Sequence, residues 1–338
     1  MSIPHSGERP SRGGLYTLAA AIGPNFVIAI LFVLTLFAVV LTYGGTIKWK
    51  EGPILISGGI TLGLLLLRTF WALPQLMRGD PRAPAELKRA LLRTLYDWGP
   101  LIVVMWMFES LEPYTGVIRK DVFDRQLYEL DLAVFGVEPT VWAGRLYHPL
   151  LTDWMSVTYG LYFITPMVLA TMLSIRGRRA DFTEMVTATV IQMGIGFITC
   201  LFIPAGPPRH YAPLLAGGFQ PPQLHSMTGL MELQQGAFDT ADPMLTHSAF
   251  PSLHCSMGML ALLFSRRFSD AVFPTHPRRF YRIVIVLVVS LWASTIYLRH
   301  HWFFDCVAGW SLGLASTALA GLVRRCWPHG REPEPGFG

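Results

Sequence analysis

The sequence predicts an all-α fold, a polytopic transmembrane bundle of about six to eight spans with further helices at the membrane interface. Composition is the first support, because hydrophobic residues make up 52% of the 338 residues and charged residues 14%. Soluble domains carry about 25% charged residues. The mean hydropathy of +0.41 agrees with this. The apolar residues are also gathered into runs of the ~20 residues that a helix needs to cross the hydrocarbon core.

About eight of these runs are candidate spans. In chain order they are residues 24–43, 53–73, 95–111, 154–175, 182–203, 251–268, 281–298 and 302–323. The third is the weakest, because Asp97 and Glu109 interrupt it. The first begins too far from the N-terminus, and runs too long, for a cleaved signal peptide, so we interpret it as a retained helix.

The composition of the chain divides it into four parts. We expect flexible cytoplasmic tails at residues 1–17 and 324–338, because both are polar and contain several Gly and Pro residues. Residues 18–94 are predicted to form N-terminal transmembrane helices, and residues 95–323 a membrane core that contains the functional motifs.

Two segments of this core differ from ordinary spans. Residues 121–147 mix charges with aromatic residues and leucines, which predicts helices that lie in the headgroup layer. The 205–249 loop is long and rich in Pro, Gly and Gln, which is typical of a lid or a binding element. The four cysteines are scattered without CxxC spacing, so they predict neither a disulfide framework nor a zinc ribbon.

Positive charge alternates between successive loops. It is concentrated in residues 78–93, 176–179, 266–282 and 324–331, whereas the 205–249 loop contains only Arg209. The positive-inside rule therefore places both termini in the cytoplasm, and the loops that contain Arg209 and His301 on the other side. We interpret the net charge of +5 as a signal for topology and lipid headgroups, and expect no nucleic-acid partner.

Two histidines are predicted to lie at the same membrane face. His254 is at the start of the sixth candidate span and His301 at the end of the seventh. Two crossings separate the stretch before His254 from the stretch after His301, so the two side chains can share one site even if the early spans are miscounted.

His301 and Asp305 are spaced i, i+4, so on a helix they would share one face. A carboxylate that accepts one imidazole N–H fixes the tautomer and raises the basicity of the other nitrogen. His254 lies in AFPSLHCSM, where Pro251 and Ser252 indicate a turn into a helix, with His254 about one turn inside it. Backbone N–H groups at such a helix start attract anions.

Arginines near these groups suit a phosphate. Arg209 follows a proline-rich turn in FIPAGPPRHY, and Arg299 is next to the histidines. The planar guanidinium matches phosphate oxygens. Together these residue types describe a phosphoester site, in which one histidine attacks phosphorus, the other protonates the leaving oxygen, and arginine stabilises the developing charge.

Other interpretations stay open. A histidine near a span end is often structural, the His301–Asp305 pair could merely seat a helix, and Arg209 could anchor a headgroup. A zinc-dependent hydrolase could use His254, His301 and Asp305 as three ligands. A proton-coupled transporter could also use buried His and Asp groups, although such sites usually lie near the midplane between repeated halves, and no repeat is visible here.

The motifs resemble those of a known family. The segments PSLH (251–254) and HHWFFD (300–305) are similar to the second and third motifs of the type 2 phosphatidic acid phosphatase superfamily. AGPPRHY, FPSLHCSMG, YLRHHWFFDCVAG and ELDLAVFGVEP resemble the branch that contains inositol phosphorylceramide synthases and related bacterial proteins. The similarity covers roughly residues 95–323.

The resemblance implies a metal-independent lipid phosphotransferase or phosphatase without a cofactor, in a bacterial plasma membrane, with membrane lipids as donor and acceptor. It implies that His301 is the nucleophile, Asp305 its orienting partner and His254 the general acid. Ser252 would contact the phosphate, and His300 would play a supporting role.

The chain departs from the superfamily pattern in two places. The first motif, Lys followed six residues later by Arg-Pro, is absent, and PPRHY stands roughly in its place. The Ser-Arg that usually precedes the nucleophile is Ser294-Thr295 here. Both changes fit the synthase-like branch better than the plain phosphatases, and Arg209 is our candidate for the phosphate clamp. Donor, acceptor and oligomeric state are not predicted by these residues.

Overall fold

The computed structural model describes residues 22–43, 53–111, 118–216 and 247–327, and these form twelve α-helices. The helices are α1 (Pro24–Thr42), α2 (Pro53–Met77), α3 (Ala83–Leu111), α4 (Asp124–Phe135), α5 (Pro139–Ala143), α6 (Pro149–Gly160), α7 (Ile164–Ile175), α8 (Arg179–Phe202), α9 (Ala212–Ala216), α10 (Leu253–Phe268), α11 (Pro277–Tyr297) and α12 (Phe303–Cys326). Both predicted tails, apart from residues 324–327, and most of the predicted 205–249 loop lie outside the described residues.

The helical fold class is confirmed, whereas the described residues do not confirm the predicted count of six to eight spans. Among the described residues, α8, α11 and α12 are long and apolar enough to cross a membrane. The pair α6 and α7, bent by 41°, gives a fourth span if it is counted as one. The helix in the sixth predicted span, α10, has 16 residues, which is about 24 Å of helix against a hydrocarbon core of about 30 Å. The count of six to eight spans therefore stays a prediction.

Helix α8 occupies the centre of the bundle and packs against α1, α3, α10 and α12. Neighbouring helices cover nearly every face of α8, and most of its buried residues are apolar, as expected for a buried helix. Gly194 allows one of these contacts, since a Cβ there would lie 2.4 Å from the ring of Phe32 on α1.

Helices α10 and α12 approach each other closely through small residues. A Cβ at Gly309 would lie 2.3 Å from the carbonyl oxygen of Ser252, and a Cβ at Gly313 would lie 2.7 Å from that of Ser256. Small residues at such crossings let two backbones come into contact. The crossing therefore brings together the N-terminal ends of α10 and α12, which contain His254 and Asp305.

The opposite ends of the central helices are joined by ion pairs. Glu184, whose side chain is 1% exposed, binds Arg267 at 2.5 Å and Arg324 at 2.6 Å. Arg324 also lies 2.7 Å from Asp181. Because these residues belong to α8, α10 and α12, the cluster holds together the ends of those helices that lie far from the histidines.

The segment 121–147, predicted to be interfacial, forms α4, α5 and a short 3₁₀ turn at Gly144–Leu146, and α4 packs against α12. Phe123 N–H donates to Pro204 O at 2.9 Å, and Gly206 N–H donates to the Asp124 carboxylate at 2.7 Å. Ala205 in turn forms an isolated β-bridge with Ser248. These contacts attach α4 to the two chain segments that flank the histidines.

Candidate active site

His301 and Asp305 meet at the start of α12. His301 Nδ1 lies 3.4 Å from Asp305 Oδ2, and the same oxygen accepts the N–H of Trp302 at 3.0 Å. Both side chains are buried. The prediction that the pair shares a helix face is wrong in detail, because His301 lies in the turn before α12, and Asp305 reaches back to it while capping the helix.

His254 is in the first turn of α10, as its second residue rather than about one turn inside as predicted. Ser252 is the N-cap, and its hydroxyl accepts the N–H of Cys255 at 3.2 Å. His254 Nδ1 lies 3.4 Å from His301 Nε2. The structure thus brings the two predicted histidines together in one line that continues to Asp305.

Ser252 lies beside this line with its backbone already engaged. Its N–H donates to Asp305 O at 3.0 Å, which joins the starts of α10 and α12. Since the hydroxyl oxygen caps α10, the hydroxyl proton is the group that Ser252 can still offer to a ligand.

His300 is buried next to the line and faces a tyrosine. Its ring stacks on Tyr159 with a centroid separation of 4.2 Å. Burial, followed by the positive charge of Arg209, lowers the pKa of His300 well below its ordinary value. Arg209 therefore lies close enough to act on this cluster electrostatically.

Arg299, the second predicted phosphate ligand, is directed toward α5 and the 3₁₀ turn that follows it. It has a φ of 63°, a conformation that glycine normally supplies at the end of a helix. Its guanidinium lies 3.1 Å from where a Cβ of Gly144 would be. Burial lowers the pKa of Arg299, and the nearby Glu138 carboxylate opposes that shift. Of the two arginines, Arg209 is the one whose charge acts on His300.

Arg209 does not lie in an α-helix, and a backbone hydrogen bond fixes its position. It lies in a 3₁₀ turn, Pro208–His210, and its N–H donates to Arg299 O at 3.2 Å. Nearby, Trp302 Nε1 donates to Gly206 O at 2.9 Å. The proline-rich segment after α8 is thereby fixed against the turn that contains His300 and His301.

Two residues of the site were missed in the sequence. Tyr159, 6% exposed, lies between His254 and His300 at 4.2 Å from each ring. Asp131, fully buried, accepts the N–H of Phe303 at 2.8 Å and so caps α12 beside Asp305. Asp131 is an acidic residue among apolar ones in ELDLAVFGVEP, and this pattern was a signal for a buried carboxylate. Nothing in the local sequence distinguished Tyr159 from an interfacial tyrosine.

The arrangement does not resemble a metal centre. Within the described ranges, no group of three or more His, Cys, Asp or Glu side chains could hold a metal ion. His254 and Asp305 lie against opposite nitrogens of His301, so the three side chains do not converge on one point.

Comparison with known families supports an enzymatic role. A family profile described as the PAP2 superfamily matches residues 125–319, more than half of the chain. The chain belongs to the PAP2 superfamily. Membership points to a phosphatase-type lipid enzyme, and together with the apolar helices it indicates a membrane protein. The matched region contains every site residue discussed above. No curated protein and no solved structure matches the chain.

Proposed function

We propose that this PAP2 protein is an integral-membrane lipid phosphotransferase or phosphatase that works through a phosphohistidine intermediate. The observation that supports this most is the line from Asp305 through His301 to His254. Asp305 at Nδ1 fixes the tautomer that leaves a lone pair on His301 Nε2. That nitrogen faces His254, which is placed to exchange a proton with an oxygen bound to the same phosphorus.

The reaction has two steps. In the first, His301 Nε2 forms a bond to phosphorus, the bond from phosphorus to the leaving oxygen breaks, and that oxygen takes a proton from protonated His254. In the second, His254 takes the proton of an acceptor hydroxyl, the acceptor oxygen bonds to phosphorus, and the N–P bond breaks. The acceptor is a lipid alcohol, as in the inositol phosphorylceramide synthase-like branch, or water in a plain phosphatase for phosphatidate or a polyprenyl diphosphate.

Substrate binding requires a local movement. In-line displacement places phosphorus between the attacking nitrogen and the leaving oxygen, and the 3.4 Å between His301 Nε2 and His254 Nδ1 leaves no room for this. The two imidazoles therefore move apart when a phosphoester binds. Arg209 stabilises the charge on the phosphoryl oxygens.

We place the site at the non-cytoplasmic face of a bacterial plasma membrane, in a chain with six to eight spans. The arginines of the Glu184 cluster lie at the opposite ends of α10 and α12 from the histidines, and the positive-inside rule assigns such ends to the cytoplasm. A lipid phosphoester then enters the site sideways from the outer leaflet.

The test is turnover in detergent with phosphatidic acid, a polyprenyl diphosphate, and phosphatidylinositol plus a lipid alcohol, each with and without EDTA. Wild type is compared with His301→Ala and with His276→Ala, a matched control at an exposed histidine before α11. We expect turnover that ignores EDTA and is lost only in His301→Ala, and the best substrate then separates transferase from phosphatase. Loss with EDTA would favour a metal-dependent hydrolase, and an active His301→Ala would contradict the proposal.

A further inference from the structure

The imidazole of His254 contacts two tyrosine rings. Tyr159 stacks on one face with a centroid distance of 4.2 Å and an interplanar angle of 19°. Tyr162 also lies 4.2 Å from the His254 ring, at a tilt of 45°. Tyr159 lies in the last turn of α6, and Tyr162 lies in the break before α7, where the bent pair changes direction by 41°. The end of α6 and the break therefore place two aromatic rings against one histidine.

The second face of Tyr159 is also occupied. His300 stacks on it at 4.2 Å and 17°, so the ring lies between two imidazoles. Through these contacts α6 touches both the start of α10 and the turn before α12. The ring faces make these contacts, and the hydroxyl group is not part of them.

We propose that Tyr159 is a positioning residue that confines His254 to motion within the plane of its imidazole. An imidazole stacked on a ring can slide or turn in its own plane without losing the contact, but it cannot swing out of it. The opening of the His254–His301 gap is then guided, and His254 stays aimed at the leaving oxygen. This inference rests on the proposed function, because it assigns Tyr159 to the proton transfer of that reaction.

The choice of leaving group distinguishes positioning by Tyr159 from a purely structural role, because a structural role would change the activity on all substrates alike. A phosphoester with an alkyl alcohol as leaving group needs a proton from His254, whereas a p-nitrophenyl phosphoester, whose leaving group is a stable anion, needs it much less. If Tyr159 positions the acid, Tyr159→Leu lowers kcat/KM, which reports the leaving-group step, far more on the alkyl substrate than on the aryl one. The second step, in which His254 acts as a base, is the same for both substrates. Misplacement of a catalytic group by about 1 Å costs on the order of 100-fold.

The experiment measures kcat and KM on both substrates for wild type, Tyr159→Phe, Tyr159→Leu, His254→Ala and the double variant His254→Ala/Tyr159→Leu. Tyr147→Leu is the matched control, because Tyr147 is exposed. We expect Tyr159→Phe to stay within about threefold of wild type, since it keeps the stack. We expect Tyr159→Leu to lose kcat/KM on the alkyl substrate but much less on the aryl one, and to add nothing in the His254→Ala background.

Three results would overturn the inference: equal losses of kcat/KM of Tyr159→Leu on both substrates, additive losses in the double variant, or a Tyr159→Phe variant as impaired as Tyr159→Leu. If Tyr159→Leu does not fold, Tyr162→Leu gives the same test through the second ring that contacts His254, and equal losses of kcat/KM on the two substrates there count against the inference. His301→Ala, run in parallel, separates the two claims. If it stays active the proposed function fails, and if it is inactive while Tyr159→Leu behaves like wild type, the Tyr159 inference alone fails.

Discussion

At the scale of single residues, the two nitrogens of His301 are given different environments by their neighbours. Asp305 lies at Nδ1 and His254 at Nε2, each at 3.4 Å. The sequence predicted these three residues as a set. The i, i+4 spacing pairs His301 with Asp305, and two membrane crossings return the chain from His254 to the same face at His301. Tyr159 could not be predicted in this way, since its contacts join α6 to residues about 100 and 140 positions later in the chain, a pairing that no local pattern indicates.

The two arginines should behave differently when truncated. Arg209→Ala should lower kcat/KM by about 100-fold, because it removes charge stabilisation at the phosphoryl group. Arg299→Ala should mainly lower stability, by about 1–3 kcal/mol, because it leaves the buried Glu138 carboxylate without that nearby charge. Kinetics and thermal unfolding of both variants check this. The opposite pattern, with Arg299→Ala inactive but stable, would assign the clamp to Arg299.

At the scale of elements, the close crossing of α10 and α12 holds the site together. Gly309→Ala places a Cβ against the backbone of Ser252, so we expect a loss of about 1–3 kcal/mol in stability and a drop in activity. Gly321→Ala on the same helix is the control, because its nearest atom outside the helix backbone is Glu184 Oε1 at 3.7 Å. Thermal unfolding in detergent should show a lower Tm for the first variant alone. Equal Tm values would mean that the crossing tolerates separation.

Asp131 on α4 caps α12, and the titration of its carboxyl group should make the stability of the protein depend on pH. Burial, with help from the charges of Glu138 and Asp305, raises the pKa of Asp131 to about 7. The folded state therefore holds a proton that the unfolded chain releases near pH 3.9, and this contribution to stability is lost as pH rises from about 4 to 7. Asp131→Asn keeps an oxygen for Phe303 N–H but does not titrate.

We therefore expect the Tm of Asp131→Asn, relative to wild type, to be higher at pH 8 than at pH 5. The underlying change is on the order of 1 kcal/mol per pH unit. Glu129→Gln, at an exposed position of α4 that pairs with Arg125, should show no such difference between the two pH values. A Tm difference for Asp131→Asn that is the same at both pH values would contradict the account.

The spacing of His301 and Asp305 correctly predicted that the two side chains contact each other, but the reason behind that prediction was incomplete. The i, i+4 rule assumes that both residues lie in a helix, but α12 begins at Phe303, after His301. The contact forms because Asp305 accepts the Trp302 N–H at the helix start and its carboxylate is therefore directed back toward the turn. Caps depend on where a helix begins, and helix ends are the least certain part of any interpretation from sequence.

At the scale of the whole molecule, hydropathy identified the helices but not how many of them span the membrane. Helices α1 and α2 run for 19 and 25 residues, and their apolar stretches within the described residues are Pro24–Val39 and Leu62–Met77. Composition reports apolar surface, and a helix can bury such surface against protein as well as against lipid. Membrane crossing therefore needs a measurement of topology.

Cys326 offers that measurement without mutation. It is exposed at the end of α12, whereas Cys200, Cys255 and Cys306 are buried. If the C-terminal end is cytoplasmic, a membrane-impermeant maleimide should not label Cys326 in intact cells and should label it after the cells are lysed. Labelling in intact cells would place the arginine-rich end outside and invert the proposed orientation of the site.

The central claim, that His301 carries the phosphoryl group, is tested most directly by quenching the enzyme during turnover of its best phosphoester under alkaline denaturing conditions and mapping the adduct by mass spectrometry. The account predicts a phosphoryl group, with or without its headgroup, on the peptide that contains His301, and no adduct in His301→Ala. An adduct on another residue would contradict it. Release of the leaving group without any adduct, when the acceptor is withheld, would also contradict it.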